Sequence, residues 1–472
     1  MTAAAVLRFP ADHSSKVCDF ESQLVEAGVT AVKRIVEVVM DQYNGKDFQA
    51  LSELLREQGQ QVSGAMFSKL LSVLAASGET SAPCPQCQGL CDIHSTSTRT
   101  VESLHGQIKV DRPYFYCRSC EFGFAPFDDN LKLAPQKKQY DLQAGAAELL
   151  AEVPYDTAAR LFKRLTGHSI SDHSMHELSS RLGETARKED VLPSRKMVET
   201  TIEEFSAGRG WRPVLVVSAD GAHEPTRPET GKRSGKRGPG SYQEAKGFRI
   251  YLVGDDRIEQ IMSWHQIANE EEFGEAIRFA ATLVPHDQVR IALIADGAKW
   301  IWPHLTAAFP TGKEILDYYH CSEHIHKVAE LQYPNDQNRQ VMWIESSMSR
   351  LFCGDVAGVI WGLQRMKGHN GTAAAEIESL IGYLQNNEHR IDYKKLKRGQ
   401  YPIGSGGIES ANKFICHVRM KRSGAWWYKI NGNRMLRLRC AMYNGTFDQV
   451  FARYKRVQVA GAVKAPRTSR NA

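Results

Sequence analysis

"RPVLVVSAD" occupies Arg212–Asp220, and "QVRIALIAD" occupies Gln288–Asp296. Each is a short, largely apolar run closed by an aspartate and then a glycine, Gly221 or Gly297. Runs of that length and composition read as strands buried on both faces, which belong to an α/β sheet. The carboxyl ends of such strands form the crevice where ligands bind. A single aspartate there is ordinarily the start of a turn. Two of them on neighbouring strands would push two carboxylates into one space, which is costly unless cations share the charge. Magnesium, or manganese in its place, suits such a pair because it takes hard oxygen ligands and keeps positions open for phosphate and water. Two such ions can hold the attacking and leaving oxygens of a phosphoryl transfer.

The flanking segments support an alternating fold. "KGFRIYLVG" and "RIEQIMSWH" form an expected hairpin pair, and "EEEFGEAIRFAATLV" has helical periodicity. A helix through Phe309 and a short strand "KEILDYY" follow Asp296. Residues 321 to 395 read as several helices with no strand between them. Then comes "YPIGSGGIESANKFI", Tyr401–Ile415, with Glu409 as the only acid among eight Lys and Arg between Lys394 and Arg422. An acid in a first helical turn is favoured by the helix dipole alone. Beside Asp220 and Asp296, however, Glu409 is expected to be the third carboxylate. Gly404, Gly406 and Gly407 would let the backbone approach the site or a phosphate closely.

Upstream, residues 16 to 78 have helical spacing, and residues 82 to 127 are rich in Cys, Pro and Gly with short β-like runs. Cys84-Pro-Gln-Cys87 and Cys117-Arg-Ser-Cys120 are two knuckles with 29 residues between them (88 to 116). Four thiolates so arranged suit a closed tetrahedral zinc site, structural rather than catalytic. A more local set, Cys84, Cys87, Cys91 and His94, is the rival, and it leaves Cys117 and Cys120 without a role. Further on, "VPYDTAARLFKRLTGHSISDHSMHELSSRLGE" has a break at Thr166-Gly167-His168 between two helical runs. It is either a helix-turn-helix, with His173, His176 and Arg181 on the second run, or a plain helical hairpin.

Positive charge is clustered. Residues 227 to 249 carry seven Lys or Arg, and the segment from Gln449 to the end has six with no acid. Lys232, Arg233, Lys236 and Arg237 stand among Gly and Pro, a composition that builds no core but can follow phosphates; a solvated loop is the alternative. After Glu409, Trp426 and Trp427 lie among Arg419, Lys421, Arg422 and Lys429. Trp426 is expected to stack on a base drawn from a duplex end, with one tryptophan of the pair outside and one in the core.

"SADGAHEP", "IADGAKWIW", "LDYYHCSEHI" and "GSGGIESANKFI", in this order, make the stretch from about Trp211 to Tyr443 resemble the DDE transposases of bacterial insertion sequences, distantly related to the Mutator-like group. The resemblance implies a ribonuclease-H-like α/β catalytic core with an all-helical insertion, preceded by helical segments and a zinc ribbon. It implies Asp220, Asp296 and Glu409 as magnesium or manganese ligands, with the 112 residues between the second Asp and the Glu (297 to 408) holding the insertion. It implies a supporting role for His320 in the motif Asp317-Tyr-Tyr-His320. Cleavage at the element ends and joining to target DNA follow as the expected activity, with double-stranded DNA as partner and a homodimer or larger assembly holding two ends. A nuclease without joining activity and a zinc-containing DNA-binding regulator are the rivals.

The expected organisation is an N-terminal helical region (1–80), the ribbon (81–130) and a helical DNA-binding region (131–208). The core follows in two parts (209–320 and 401–445) around the insertion (321–400), with a basic tail (446–472). With 472 residues, 42% hydrophobic and 24% charged, the chain has the composition of a soluble multi-domain protein. No run is apolar enough to span a bilayer, and the N-terminus shows no secretory pattern, so a bacterial cytoplasmic, nucleoid-associated protein is expected.

Overall fold

The computed structural model describes residues 15–464 except 44, 46, 77, 79, 229–239, 255 and 256, with side chains from 21 to 461. The chain divides into two compact units, one running to Arg181 and including the chain from Phe451 on, the other Leu182–Val450. That division differs from the expected segments. The helical region 131–208 is cut at Arg181, and the C-terminal helix Phe447–Lys464 falls largely in the first unit.

In the first unit, the long helices Ser15–Gln42 and Phe48–Ala76 precede an antiparallel sheet of β1 (Ser81–Pro83), β2 (Leu90–Ser103), β3 (Gly106–Cys117) and β4 (Phe122–Phe124), in that order. Leu71 and Leu74 of the second helix pack with Val101, Ile108 and Val110 of the β2–β3 hairpin and with Phe127. This closes one end of the hairpin, and the cysteines close the other. The helices Tyr155–Thr166 and Asp172–Thr185 take the positions of the two runs expected around Gly167. His173 and Arg181 both lie beside Glu177, at 3.4 and 3.7 Å. The His176 ring packs edge-on to Tyr155.

The second unit holds a sheet of six strands. β5 (Val214–Arg227), β6 (Ser241–Val253) and β7 (Ile258–Ile267) form an antiparallel meander, and β8 (Arg290–Ala295) and β9 (Lys313–Leu316) add in parallel on the other side of β5. The order is β7-β6-β5-β8-β9, with β10 (Trp427–Tyr428) pairing in parallel with the far end of β5. Val214 to Val217 and Ile291 to Ala295 are all buried, as the two apolar runs require. Two readings are corrected here. Asp220 does not end its strand, because β5 runs on to Arg227 along β6. The strand from Lys313 stops at Leu316, because Asp317 caps the helix Tyr318–Gln332 instead.

β7 is the outer strand, and one helix, Lys429–Tyr443 with its C-cap Asn444, covers its free edge. Asn433 bonds the backbone of Ile267 through both amide atoms (2.8 and 3.1 Å), and Asn444 does the same for Ser263 (2.7 and 2.9 Å). Between them the Cys440 sulfur accepts the His265 N–H at 3.2 Å. A sheet edge is thereby satisfied by side chains instead of being left to pair with another chain. Between β9 and Tyr401 the chain is helical, as the missing strand signal predicts, with helices Tyr318–Gln332, Gln337–Phe352, Val356–Arg365, Gly371–Asn387 and Tyr393–Arg398.

Candidate functional site

The last register partners of β5 and β8 are Ser218 and Ile294. Asp220 and Asp296 each stand two residues further on, at matching positions past the paired stretch, and the Asp296 charge acts on Asp220. Asp220 is half-buried, with Oδ1 accepting the Gly221 N–H and Oδ2 accepting Asn412 Nδ2, both at 2.7 Å. Burial raises the Asp220 carboxyl above its ordinary range, and the Asp296 charge adds to that rise; the two hydrogen bonds and His320 oppose it. Asp296 is also half-buried, with Oδ1 taking the Ala298 N–H at 2.9 Å.

Asp317 joins the two ends of the helical insertion. Oδ1 accepts the N–H groups of Tyr319 and His320 at 2.6 and 3.0 Å, and Oδ2 accepts the Ser405 N–H. The Tyr318 N–H meets the Ile403 carbonyl at 2.9 Å. The point where the chain leaves the core is thus stitched to the point where it returns. Burial works to raise the Asp317 carboxyl, but the bonds from His320 and Ser405 outweigh it and hold it down to about 2. His320 Nδ1 is 3.6 Å from Asp317 Oδ1. The Asp317 carboxylate beside it comes first among the effects that lift His320 to about 9; Glu323 and Asp296 add to it and burial opposes it. An imidazolium there is a counter-charge among several carboxylates.

Past Ser405 the chain enters the helix Gly406–Asn412, which runs into a π-helical turn Lys413–His417 and then Val418–Met420. Arg249 Nη1 donates to the Gly407 carbonyl at 2.7 Å, and a Cβ on Gly407 would lie 2.5 Å from the Tyr251 ring. The glycine therefore lets this helix start directly against β6. Glu409 and Asn412 are three residues apart on it and so share a face. Asn412 reaches Asp220, and Glu409 is exposed near Asp317 and His320. Among the described residues, one ligand atom each from Asp317, His320 and Glu409 lies within 4.8 Å of the others. Asp220, Asp296 and Glu409 do not form such a trio. Glu409, expected as the third carboxylate, thus lies beside the Asp-x-x-His pair. Sequence reasoning quoted that pair and gave Asp317 no role; its signal was an acid at a helix N-cap straight after a buried strand.

Cys84, Cys87, Cys117 and Cys120 have their sulfurs within 4.8 Å of one another, and could hold a metal ion. Zinc–sulfur bonds of about 2.3 Å in a tetrahedron put sulfurs about 3.8 Å apart. Cys87 and Cys117 are 3.7 Å apart. The residue after each knuckle, Gln88 or Glu121, has a left-handed backbone, φ 61° and 51°, so the two turns are alike. Of the rival set, Cys91 is buried in the same cluster, but His94 points to Ser95 and the rings of Tyr114 and Tyr116 and is outside the group.

The residues proposed for DNA contact divide. Lys232, Arg233, Lys236 and Arg237 lie outside the described residues. Lys421 and Arg422 are exposed. Trp426 is 38% exposed, its ring near Tyr242 and its carbonyl held by Arg227. Trp427 is buried, with Nε1 bonded to the Met420 carbonyl. The tryptophan pair is thus split as expected. Arg419 is the correction. It is 3% exposed and lies over the Trp427 ring, on the short helix that follows the π-helical turn, so it is not a surface residue.

No protein-family model matches the chain, and no curated protein matches it. Among solved structures, a chain of the Drosophila P element transposase strand transfer complex is similar over 66% of this chain and 79% of that one, at 9% identity and a TM-score of 0.24. A score of that size establishes no shared fold. No helix among the described residues is long and apolar enough to cross a membrane.

Proposed function

We propose that the protein is a DNA transposase of the DDE class, in which Asp220, Asp296 and Glu409 bind divalent cations and cleave and join DNA strands. The observation that carries this reading is the pair of carboxylates at matching positions just past the paired stretch of the adjacent parallel strands β5 and β8, with the helix of Glu409 tied to Asp220 on β5 through Asn412. The strand order β7-β6-β5-β8-β9, with three antiparallel strands followed by two parallel ones, supports a ribonuclease-H-like core. Oxygen donors on a half-buried face suit magnesium or manganese. These ions supply charge neutralisation of the scissile phosphate and of the attacking oxygen when bound. Asp317 holds the first turn of the His320 helix and the approach to Glu409 in one place, and His320 balances part of the negative charge. The four cysteines are the ligands of a structural zinc. Lys421, Arg422 and Trp426, with Lys232, Arg233, Lys236 and Arg237, are the proposed DNA-facing residues, and two copies of the chain would hold two element ends.

The test uses a plasmid carrying the DNA that flanks this reading frame. With magnesium or manganese, the wild-type protein is expected to cut at defined sites and to join pre-cleaved ends to a target, and Asp220→Ala to do neither. Cleavage without any joined product would leave a nuclease instead. DNA binding with no metal-dependent cleavage would leave a regulator.

A further inference from the structure

Asp220 on β5, Gly247 on β6 and His265 on β7 are register partners in a row across the meander. Side chains in such a row share one face of the sheet. The middle residue has none. A Cβ on Gly247 would fall 2.2 Å from His265 Cδ2 and 2.4 Å from its Nε2, so the imidazole occupies the space that the glycine leaves. From there His265 Nε2 meets Asn412 Oδ1 at 2.8 Å, and Asn412 Nδ2 donates to Asp220 Oδ2 at 2.7 Å. An amide oxygen and a carboxylate both only accept, so Nε2 carries the proton and the amide has one allowed orientation. His265 is 1% exposed and Asn412 5%, and the His265 backbone is itself held by Cys440. Burial, first, and His417 lower the imidazole to about 4 against the raising effect of the Asn412 bond, so it stays neutral at ordinary pH.

We infer that His265 and Asn412 are positioning residues that lock the Asp220 carboxylate in a single orientation for a divalent cation. The inference rests on the reading of Asp220 as a cation ligand. Without the brace, Oδ2 would lose its side-chain partner, and the carboxylate would turn about its Cβ–Cγ bond, held only by the Gly221 N–H. The orienting bond comes from a buried, uncharged chain of donors, so it stays unchanged while the charges facing the site vary.

The experiment is a Mn2+ titration of the full chain followed by the electron paramagnetic resonance signal of free Mn2+, with Mg2+ as competitor. Wild type is expected to hold Mn2+ at a site that Asp220→Ala removes. His265→Ala and Asn412→Ala are each expected to weaken that site about 10- to 100-fold, the range for partners that orient a ligand from behind. The double variant is expected to lose no more than the weaker single, because both remove one path; independent structural damage would add. His265→Gln, whose amide also donates, is expected to recover most of the affinity. Gly247→Ala gives a second route, pushing the ring off Asn412 while leaving both polar residues in place. Wild-type Mn2+ affinity in His265→Ala and Gly247→Ala, with Asp220→Ala still dead, would overturn the inference alone. Unchanged Mn2+ binding in Asp220→Ala would overturn the reading beneath it, and the inference with it.

Discussion

Replacing Glu224 by Gln is predicted to stabilise the protein, and increasingly so as the pH rises. Glu224 lies on β5 four residues beyond Asp220 and is 0% exposed, and neither carboxylate oxygen has a hydrogen-bond partner. Burial dominates and raises the carboxyl from its ordinary 4.5 to about 7; Lys421 and the nearby Cys416 thiol favour the charged form and oppose the rise. The sign follows from linkage. Below 4.5 the group is neutral whether the chain is folded or not, and contributes nothing. Between 4.5 and 7 folding takes up a proton, so stability falls as pH rises. Above 7 the whole cost is present, and at 1.36 kcal/mol for each pH unit of difference it is about 3 kcal/mol. Glutamine keeps the shape and has no charge to bury. The Gln variant should therefore exceed wild type by under about 1 kcal/mol at pH 5 and by about 3 kcal/mol at pH 8. Guanidinium unfolding followed by tryptophan fluorescence at the two pH values measures this. A stability difference that does not change between pH 5 and pH 8, or a Gln variant weaker at both, would refute the reasoning.

Further predictions follow from the same geometry. Glu409→Gln is expected to lower metal-dependent DNA cleavage at least about 1,000-fold with DNA binding retained, since only charge is removed; a gel-based cleavage assay beside a binding assay reads this, and near-wild-type cleavage would remove Glu409 from the site. Asp317→Ala should destabilise the protein by about 3 kcal/mol, from the loss of a helix cap and of a buried charge-assisted bond to Ser405; an unfolding midpoint like that of wild type would show the stitch to be idle. Metal analysis should find one zinc per chain, and Cys117→Ser should abolish it while His94→Ala leaves it intact; the reverse pattern would favour the local ligand set. Trp426→Ala should weaken binding to DNA ends, whereas Arg419→Ala should lower the unfolding temperature instead; separate fluorescence titrations and melting curves distinguish the two.

The sequence by itself determined the elements whose signals are local. Apolar runs of strand length named the buried strands, three- and four-residue spacing named the helices, and two Cys-x-x-Cys knuckles named the cysteine cluster. Each strand, helix and knuckle depends on neighbours within one turn or one strand, although the two knuckles themselves meet across 30 residues. The pairing of β5 with β8 was legible because a repeated motif closes both runs. What only the tertiary structure decided were the contacts between distant segments. Asp317 holds Ser405, 88 residues on, and Asn412 holds Asp220 across 192 residues. The burial of Arg419 against the Trp427 ring is likewise something that composition does not announce. A hydrogen bond between distant residues leaves no periodic trace in the sequence, because its partners are matched in space by the packing of the sheet and not by their spacing along the chain.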